Sequence, residues 1–338
     1  MARLRLSFIS ALNERVQPLM DGTVQPEGIE LVPTYSHPSE TFWRQLKFQE
    51  FEIAEMSLSS YLIARSRGIA DMIALPVFPS RLLFQTWLAV AHDSAIRAPG
   101  DLVDKRIGVP EYQMTAALWM RGTLEHDFGV SQYKVHWYME RTEQLSHGGA
   151  TGFTPPPGIS FQRIPPEQSM ASMLIAHELD AALVNTPMLR AATALDRSGR
   201  TLGRGGESTR TRPLFPDPVA EGARFFGEHG FIPPNHAYII RGDVHRKYPW
   251  VAFNLYAAFV KAKALAQETL VERIPTALFF GPEYLAMTRK MLGDDPFAYG
   301  VAANRPMLER LIGYSHEQGL TDTKLPVEEL FAESTRGL

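Results

Sequence analysis

The residues of this sequence with chemistry in them are side chains that can move protons and side chains that can hold carboxylates. His236 opens the apolar run HAYIIR directly after a proline-broken stretch, 231–235. Only histidine titrates near neutral pH without a strong perturbation, so His236 is the first candidate for proton transfer. Glu111 follows a short apolar run and Pro110. A carboxylate shut away from water becomes a useful acid at neutral pH, which makes Glu111 the second candidate. A structural place in the core is the alternative for His236, and capping a helix start is the alternative for Glu111. Arg15 and Arg81 stand in loops after or between strands, and a planar guanidinium grips a carboxylate with two parallel bonds. Arg141 is a third candidate of that kind, and a structural ion pair is the alternative for all three. Asn13, Ser57, Ser59, Ser60, Tyr112, Thr115 and Asn185 could hydrogen-bond carboxylate or hydroxyl oxygens; each could equally cap a helix or tie down a turn.

These residues need elements to position them, and the stretch KRIGVPEYQMTAALWMRGTLEHDF at 105–128 is the plainest unit. Residues 106–109 read as a short buried strand, Pro110 ends its ladder, 111–114 form a loop, and Thr115 is an N-cap for a helix whose apolar stripe is Ala117, Met120, Leu124 and Phe128. In open α/β sheets such a loop lies at the carboxyl end of its strand, where ligands bind and free helix amides favour an anion. Glu111, Tyr112 and Thr115 are therefore expected to face a cleft. Upstream, strands are expected at 4–9, 29–34, 51–56 and 73–77, a helix capped by Ser39 at 39–49, and a strand at 86–91. The third strand runs into the serine cluster. Further strands are expected at 133–138, 181–184 and 236–241, with 141–165 mostly loop because Gly148, Gly149, Gly152, Pro155, Pro156, Pro157 and Gly158 crowd it. Arginines 197, 200, 204, 210 and 212 lie among glycines and threonines in a segment read as a solvated loop. Pro249 opens a helix with Trp250, Phe253, Ala257, Val260 and Ala264 as its buried face, and helices follow near 282–292 and 304–318.

Strands alternate with helices, no internal repeat is present, and 338 residues suit two α/β domains. The expected fold is two doubly wound lobes, residues 1–85 plus 237–338 and residues 86–236, with an interlobe cleft as the default site. The absence of cysteine removes thiolate nucleophiles, disulfides, cysteine-ligated zinc and iron–sulfur clusters. A net charge of -3 argues against nucleic acid as a partner. No window approaches the roughly 18 to 20 apolar residues that span a bilayer, and the N-terminus does not read as a signal peptide, so a cytoplasmic protein with no membrane partner is expected. There is no G-x-S-x-G and no H-E-x-x-H, and the glycines at 203–206 do not lie between a strand and a helix as a dinucleotide site requires. No cofactor is predicted. A divalent metal, a homo-oligomer and the role of 197–212 stay open.

Several stretches carry a resemblance: VQPLMDGTVQPEGIEL, FEIAEMSLSSYLIARSRG, ALPVFPSR, DKRIGVPEYQMTAALWMRG, RPLFPDPVAEGARFFGEHGFIPPNHAYIIRGDV and YPWVAFNLYAAFVKAK. Together they resemble 4,5-dihydroxyphthalate decarboxylase and its relatives over nearly the whole chain. The resemblance implies a type II periplasmic-binding-protein-like fold used as an enzyme, and a carboxy-lyase reaction that releases carbon dioxide from a small aromatic dicarboxylate with para hydroxyls. The match is thinnest over 139–165, where MERTEQLSHGG stands. The chemistry so implied needs a base for the phenol proton, an acid for the ring carbon and cations for the remaining carboxylate, roles that fall to His236, Glu111, Arg15 and Arg81. The alternatives are a non-catalytic solute-binding protein for small aromatic or carboxylate anions, and another enzyme on this fold, such as a relative of chorismate dehydratase or the pyrimidine-precursor synthases.

Overall fold

A computed structural model describes residues 3–184, 196–198 and 210–338. The described residues form strands β1 (Leu4–Ser10), β2 (Ile29–Tyr35), β3 (Ile53–Ser57), β4 (Met72–Leu75), β5 (Leu88–Ala91), β6 (Arg106–Val109), β7 (His136–Met139), β8 (Ser160–Arg163), β9 (Ala181–Leu183), β10 (Thr211–Pro213) and β11 (His236–Arg241). The chain divides into two units: Met1–Leu82 with Phe226–Arg310 and Leu325–Leu338, and Leu83–Phe225 with Leu311–Lys324. The segment Leu311–Lys324, expected in the first lobe as part of 237–338, packs with the second unit.

The first unit is built on a sheet of order β2-β1-β3-β11-β4. β1 runs parallel to β2 and β3, whereas β11 is antiparallel to both β3 and β4. β3 is buried along its whole length, as a central strand covered on both faces must be, and its apolar run IAEMS carries one carboxylate, Glu55. Helix Leu58–Arg67 follows directly and ends on Gly68, whose φ of 63° gives the left-handed cap that spares a side chain strain. The core joins Phe8, Ile53, Leu75, Tyr238 and Ile240 of the sheet to Val251, Leu255 and Phe259 of helix Trp250–Ala277. Phe259 stacks on Tyr238 with ring centroids 4.4 Å apart.

That helix departs from expectation in its face. Trp250, Phe253 and Val260 are 41%, 47% and 39% exposed, while the buried stripe is Val251, Ala252, Leu255, Ala258, Phe259, Ala262 and Ala266. Both stripes have helical spacing in an all-round apolar sequence; the sheet selected the one carrying Leu255 and Phe259. Two caps also shift: helix Pro38–Phe48 begins before Ser39, and Thr115 is the first residue of helix Thr115–Phe128, with Met114 at the cap position.

The second unit holds a sheet of order β10-β5-β9-β6-β7-β8. β6, β7, β8 and β9 pair in parallel; β5 is antiparallel to β9 and β10. The 141–165 segment is less irregular than its glycines and prolines suggest. It contains a short helix, His147–Thr151, and β8, which needs only one neighbour at the sheet edge. A 3-10 turn at Gln132–Lys134, capped by Ser131, takes the residues expected to start β7. Pro213 closes β10, an edge position that tolerates proline. Helix Thr115–Phe128 is buried from Thr115 to Leu124 on all sides, not along a single stripe.

Candidate active site

In the first unit the carboxyl ends of β1 and β3 meet the start of β11. Because β11 is antiparallel, its first residue, His236, pairs with Ser57, the last of β3, and Tyr238 pairs with Glu55. Directly opposed residues put their side chains on one face, so Glu55, Ser57, His236 and Tyr238 share a face at this end of the sheet. His236 is 5% exposed, and its Nδ1 lies 2.6 Å from Glu55 Oε1. Glu55 accepts further bonds at Oε2 from the Ala11 amide at 2.9 Å and the Ser10 hydroxyl at 3.2 Å. Ser10 Oγ is 2.7 Å from the Tyr238 hydroxyl. Burial pushes the Glu55 carboxyl up, but the His236 hydrogen bond and charge, with the Ala11 and Ser10 donors, bring it below its ordinary value. The other imidazole nitrogen, Nε2, has no hydrogen-bond partner among the described residues.

The serines stand beside the histidine. Ser57 caps helix Leu58–Arg67, its hydroxyl accepting from the Ser60 amide and lying 3.4 Å from Ser59 Oγ. The Leu58 amide donates to the Asn235 carbonyl at 3.2 Å, tying the residue before His236 to the helix start. The Ser80 carbonyl in turn accepts from the Asn235 amide at 3.0 Å, which brings the segment carrying Arg81 alongside.

Arg81 is buried, and its guanidinium donates to the carbonyls of Ile232 at 3.0 Å and Ala298 at 2.9 Å and to Asn304 Oδ1. Arg15 lies with its guanidinium 3.7 Å over the Phe297 ring and donates to the Pro79 carbonyl. Among the described residues neither arginine is ion-paired to a carboxylate, and the Nε of each is buried without a hydrogen-bond partner. Burial pushes the Arg81 guanidinium down to about 10; Asp295 and Tyr299 oppose that, and the neighbouring Arg15 charge adds to it. Burial likewise pushes the Tyr299 phenol up to about 12 despite the Arg15 charge beside it. Asn13 does local work, its Oδ1 accepting the Arg15 amide at 3.1 Å.

The second unit gathers a different set. Glu111, fully buried, accepts from Arg141 Nη1 at 3.0 Å, from the His147 amide at 2.9 Å and from Gln113 Nε2. Arg141 also grips Asp196 with Nε and Nη2 at 2.7 and 2.9 Å. Burial disfavours the Arg141 charge, yet Asp196 and Glu111 together raise its pKa above the ordinary value. The guanidinium fork is thus committed to two protein carboxylates, and Glu111 is surrounded by donors, as a carboxylate used as an acceptor would be. Tyr112 does not line a cleft: it is fully buried, donates to Gln132 Oε1 at 2.7 Å, and lies under the Arg121 guanidinium at 3.8 Å and against Trp137. Thr115 is buried in the first turn of its helix, and Asn185 falls outside the described residues.

The first unit therefore brings together His236, the three serines, Arg81 and, next to it, Arg15. Glu111 and Arg141 form a separate buried network with Asp196. Sequence reasoning missed Glu55, Ser10 and Tyr238. The signal for Glu55 was present: a carboxylate in the middle of an apolar strand is costly without a partner, so it implies one.

No family model matches the chain. A 4,5-dihydroxyphthalate decarboxylase of Comamonas testosteroni is 32% identical over 333 residues, covering 98% of this chain and 97% of the relative. A protein of the same description from Pseudomonas putida is 36% identical over 183 residues, 54% of this chain and 71% of the relative. Among solved structures, the alkanesulfonate-binding protein SsuA of Xanthomonas axonopodis pv. citri aligns with a TM-score of 0.55 at 14% identity over 98% of both chains. The desulfurization enzyme DSZB aligns with a TM-score of 0.52 at 15% identity over 98% of this chain and 96% of that one. These likenesses show the α/β fold of SsuA-type periplasmic-binding proteins, as the sequence led one to expect. With 32% identity running almost the full length of both chains, the chain belongs to the 4,5-dihydroxyphthalate decarboxylase family of carboxy-lyases.

Proposed function

We propose that this protein releases carbon dioxide from a hydroxylated aromatic dicarboxylate, 4,5-dihydroxyphthalate or a close analogue, leaving a protocatechuate-type monocarboxylate, and that His236 delivers the proton. The observation that carries the assignment is the histidine itself: Nδ1 is held by a buried carboxylate and Nε2 has no hydrogen-bond partner among the described residues, at the strand ends where α/β sheets bind ligands. A ring carbon para to an ionised hydroxyl is electron-rich enough to accept a proton. The bond to the carboxylate then breaks, its electron pair returns to the ring, and the sum is one proton consumed and one carbon dioxide released. Arg15 and Arg81 suit the second carboxylate, being close to each other and, among the described residues, not ion-paired to a carboxylate. The serines at the start of helix Leu58–Arg67 add donors for ring oxygens.

Single-turnover release of carbon dioxide from 4,5-dihydroxyphthalate is the test. Positioned proton transfer contributes about a hundredfold to ten-thousandfold, so His236→Asn should lose that much in rate with the dissociation constant nearly unchanged. Wild-type turnover in His236→Asn would remove the histidine from the chemistry. A second reading, capture of such an anion without turnover, has the solute-binding fold behind it. Saturable binding with no carbon dioxide would favour it.

A further inference from the structure

We propose that Glu55 is a positioning residue for the decarboxylation, acting through His236 and held in place by Ser10, Tyr238 and the Ala11 amide. The inference rests on the function proposed for His236 and adds the groups that would make that histidine directional.

Glu55 is an acid at a costly place. It sits on the central strand β3, 2% exposed, where an apolar side chain would bury itself at no electrostatic cost. Its Oε1 meets His236 Nδ1 at 2.6 Å, while Oε2 receives the Ala11 amide and the Ser10 hydroxyl. With one oxygen pinned by a backbone donor, the carboxylate cannot swing from the imidazole without losing that bond. Ser10 is fixed in turn by the Tyr238 hydroxyl, and Tyr238 is locked in the core by its stacking on Phe259. The imidazole is held on a second side by Phe42, edge to face at 4.6 Å and 72°.

Three consequences follow for the proton. A carboxylate facing Nδ1 fixes the tautomer: Nδ1 carries its hydrogen toward Glu55 and Nε2 is the nitrogen that gains and gives a proton. The negative charge stabilises the imidazolium from which the ring carbon would be protonated. When Nε2 gives up its proton, Nδ1 keeps its own and Glu55 stays ionised, so no proton is lost to the carboxylate. Ser10 and Tyr238 touch neither the imidazole nor any reacting atom in this scheme; they aim the group that aims the histidine.

The experiment uses the full chain in two measurements. Nitrogen-15 spectra of histidine-labelled protein should show His236 with a hydrogen-bonded Nδ1 proton, a signature that Glu55→Gln alters because the amide presents a weaker, uncharged acceptor. In single-turnover assays Glu55→Gln should slow carbon dioxide release by about a hundredfold or more, as loss of a histidine-orienting carboxylate does elsewhere, while affinity for 4,5-dihydroxyphthalate changes less than about threefold. In a His236→Asn background the same substitution should cause no further loss. Should Glu55→Gln fail to fold, Glu55→Asp keeps the charge but draws the carboxylate back, and the same split between rate and affinity is expected. The inference fails if wild-type protein shows no hydrogen-bonded Nδ1 proton. It also fails if a folded Glu55→Gln turns over within threefold of wild type, or if Glu55→Gln slows the His236→Asn protein as much as the parent. Wild-type turnover in His236→Asn overturns the proposed function as well, which separates the two failures.

Discussion

Among the described residues Arg15 and Arg81 are not ion-paired to a carboxylate, and that sets what they should do on substitution. Truncating one guanidinium of a desolvated carboxylate pair typically costs about 2 to 5 kcal/mol. Arg15→Ala should lose that much affinity for an aromatic dicarboxylate and far less for the corresponding monocarboxylate, measured by calorimetry; equal losses would make Arg15 a structural residue. Arg81→Ala should in addition lower the melting temperature, since its fork also holds the carbonyls of Ile232 and Ala298. Glu55 makes a prediction about acid. Its carboxyl lies below its ordinary value of 4.5 in the folded chain, so the stability it contributes is complete above that pH and is lost as pH falls through the lowered value. Glu55→Gln should flatten the acid limb of melting temperature against pH, and an unchanged limb would count against an ionised Glu55 in the fold. At this scale the sequence was legible for residue type but not for partner. His236, Arg81 and the serines could be chosen from local context, whereas Glu55 lies 181 positions from His236 and is joined to it only by strand pairing. Nothing local reveals that Arg141, a candidate for the substrate carboxylate, and Glu111, a candidate acid, meet each other and that Arg141 also meets Asp196.

At the scale of elements, legibility followed burial on one side. β1, β6 and β11 were readable because short apolar runs ended on prolines or polar residues, and β11 was placed at residues 236–241, where the structure has it. The face of helix Trp250–Ala277 was not readable, since alanine, aromatic and aliphatic residues surround it and only the sheet decides which of them faces inward. Helix Thr115–Phe128 makes the tightest prediction. A methyl group at Gly122 would collide with the Tyr314 ring, so Gly122→Ala must displace an aromatic side chain in a packed interior. Overpacking of this kind costs about 1 to 3 kcal/mol, and a lowered midpoint in urea with an unchanged slope is the expected result. An unchanged midpoint would mean that Tyr314 relaxes freely.

The whole molecule is two α/β units, and alternation of strands and helices was enough to foresee that much. What alternation could not supply was strand order, because hydrophobic pattern says that a strand is buried and not which neighbours bury it. That order bears on manufacture. β11 lies between β3 and β4, and β4 pairs with no other strand of the sheet. A ribosome delivers β3 and β4 early, then the long 83–225 insertion, and only afterwards the strand that joins them. Until then the nascent first unit carries an open strand edge, a hazard for association with other chains. The histidine arrives on the very strand that closes the gap, so a chain halted at residue 225 should have residues 3–82 open to protease, and supplying 226–338 separately should restore protection. Protection of 3–82 without that addition would show that the early strands find another closure. Completion of the sheet and arrival of the proton donor proposed above are then one event, and on that proposal an unfinished polypeptide has no means of starting the reaction.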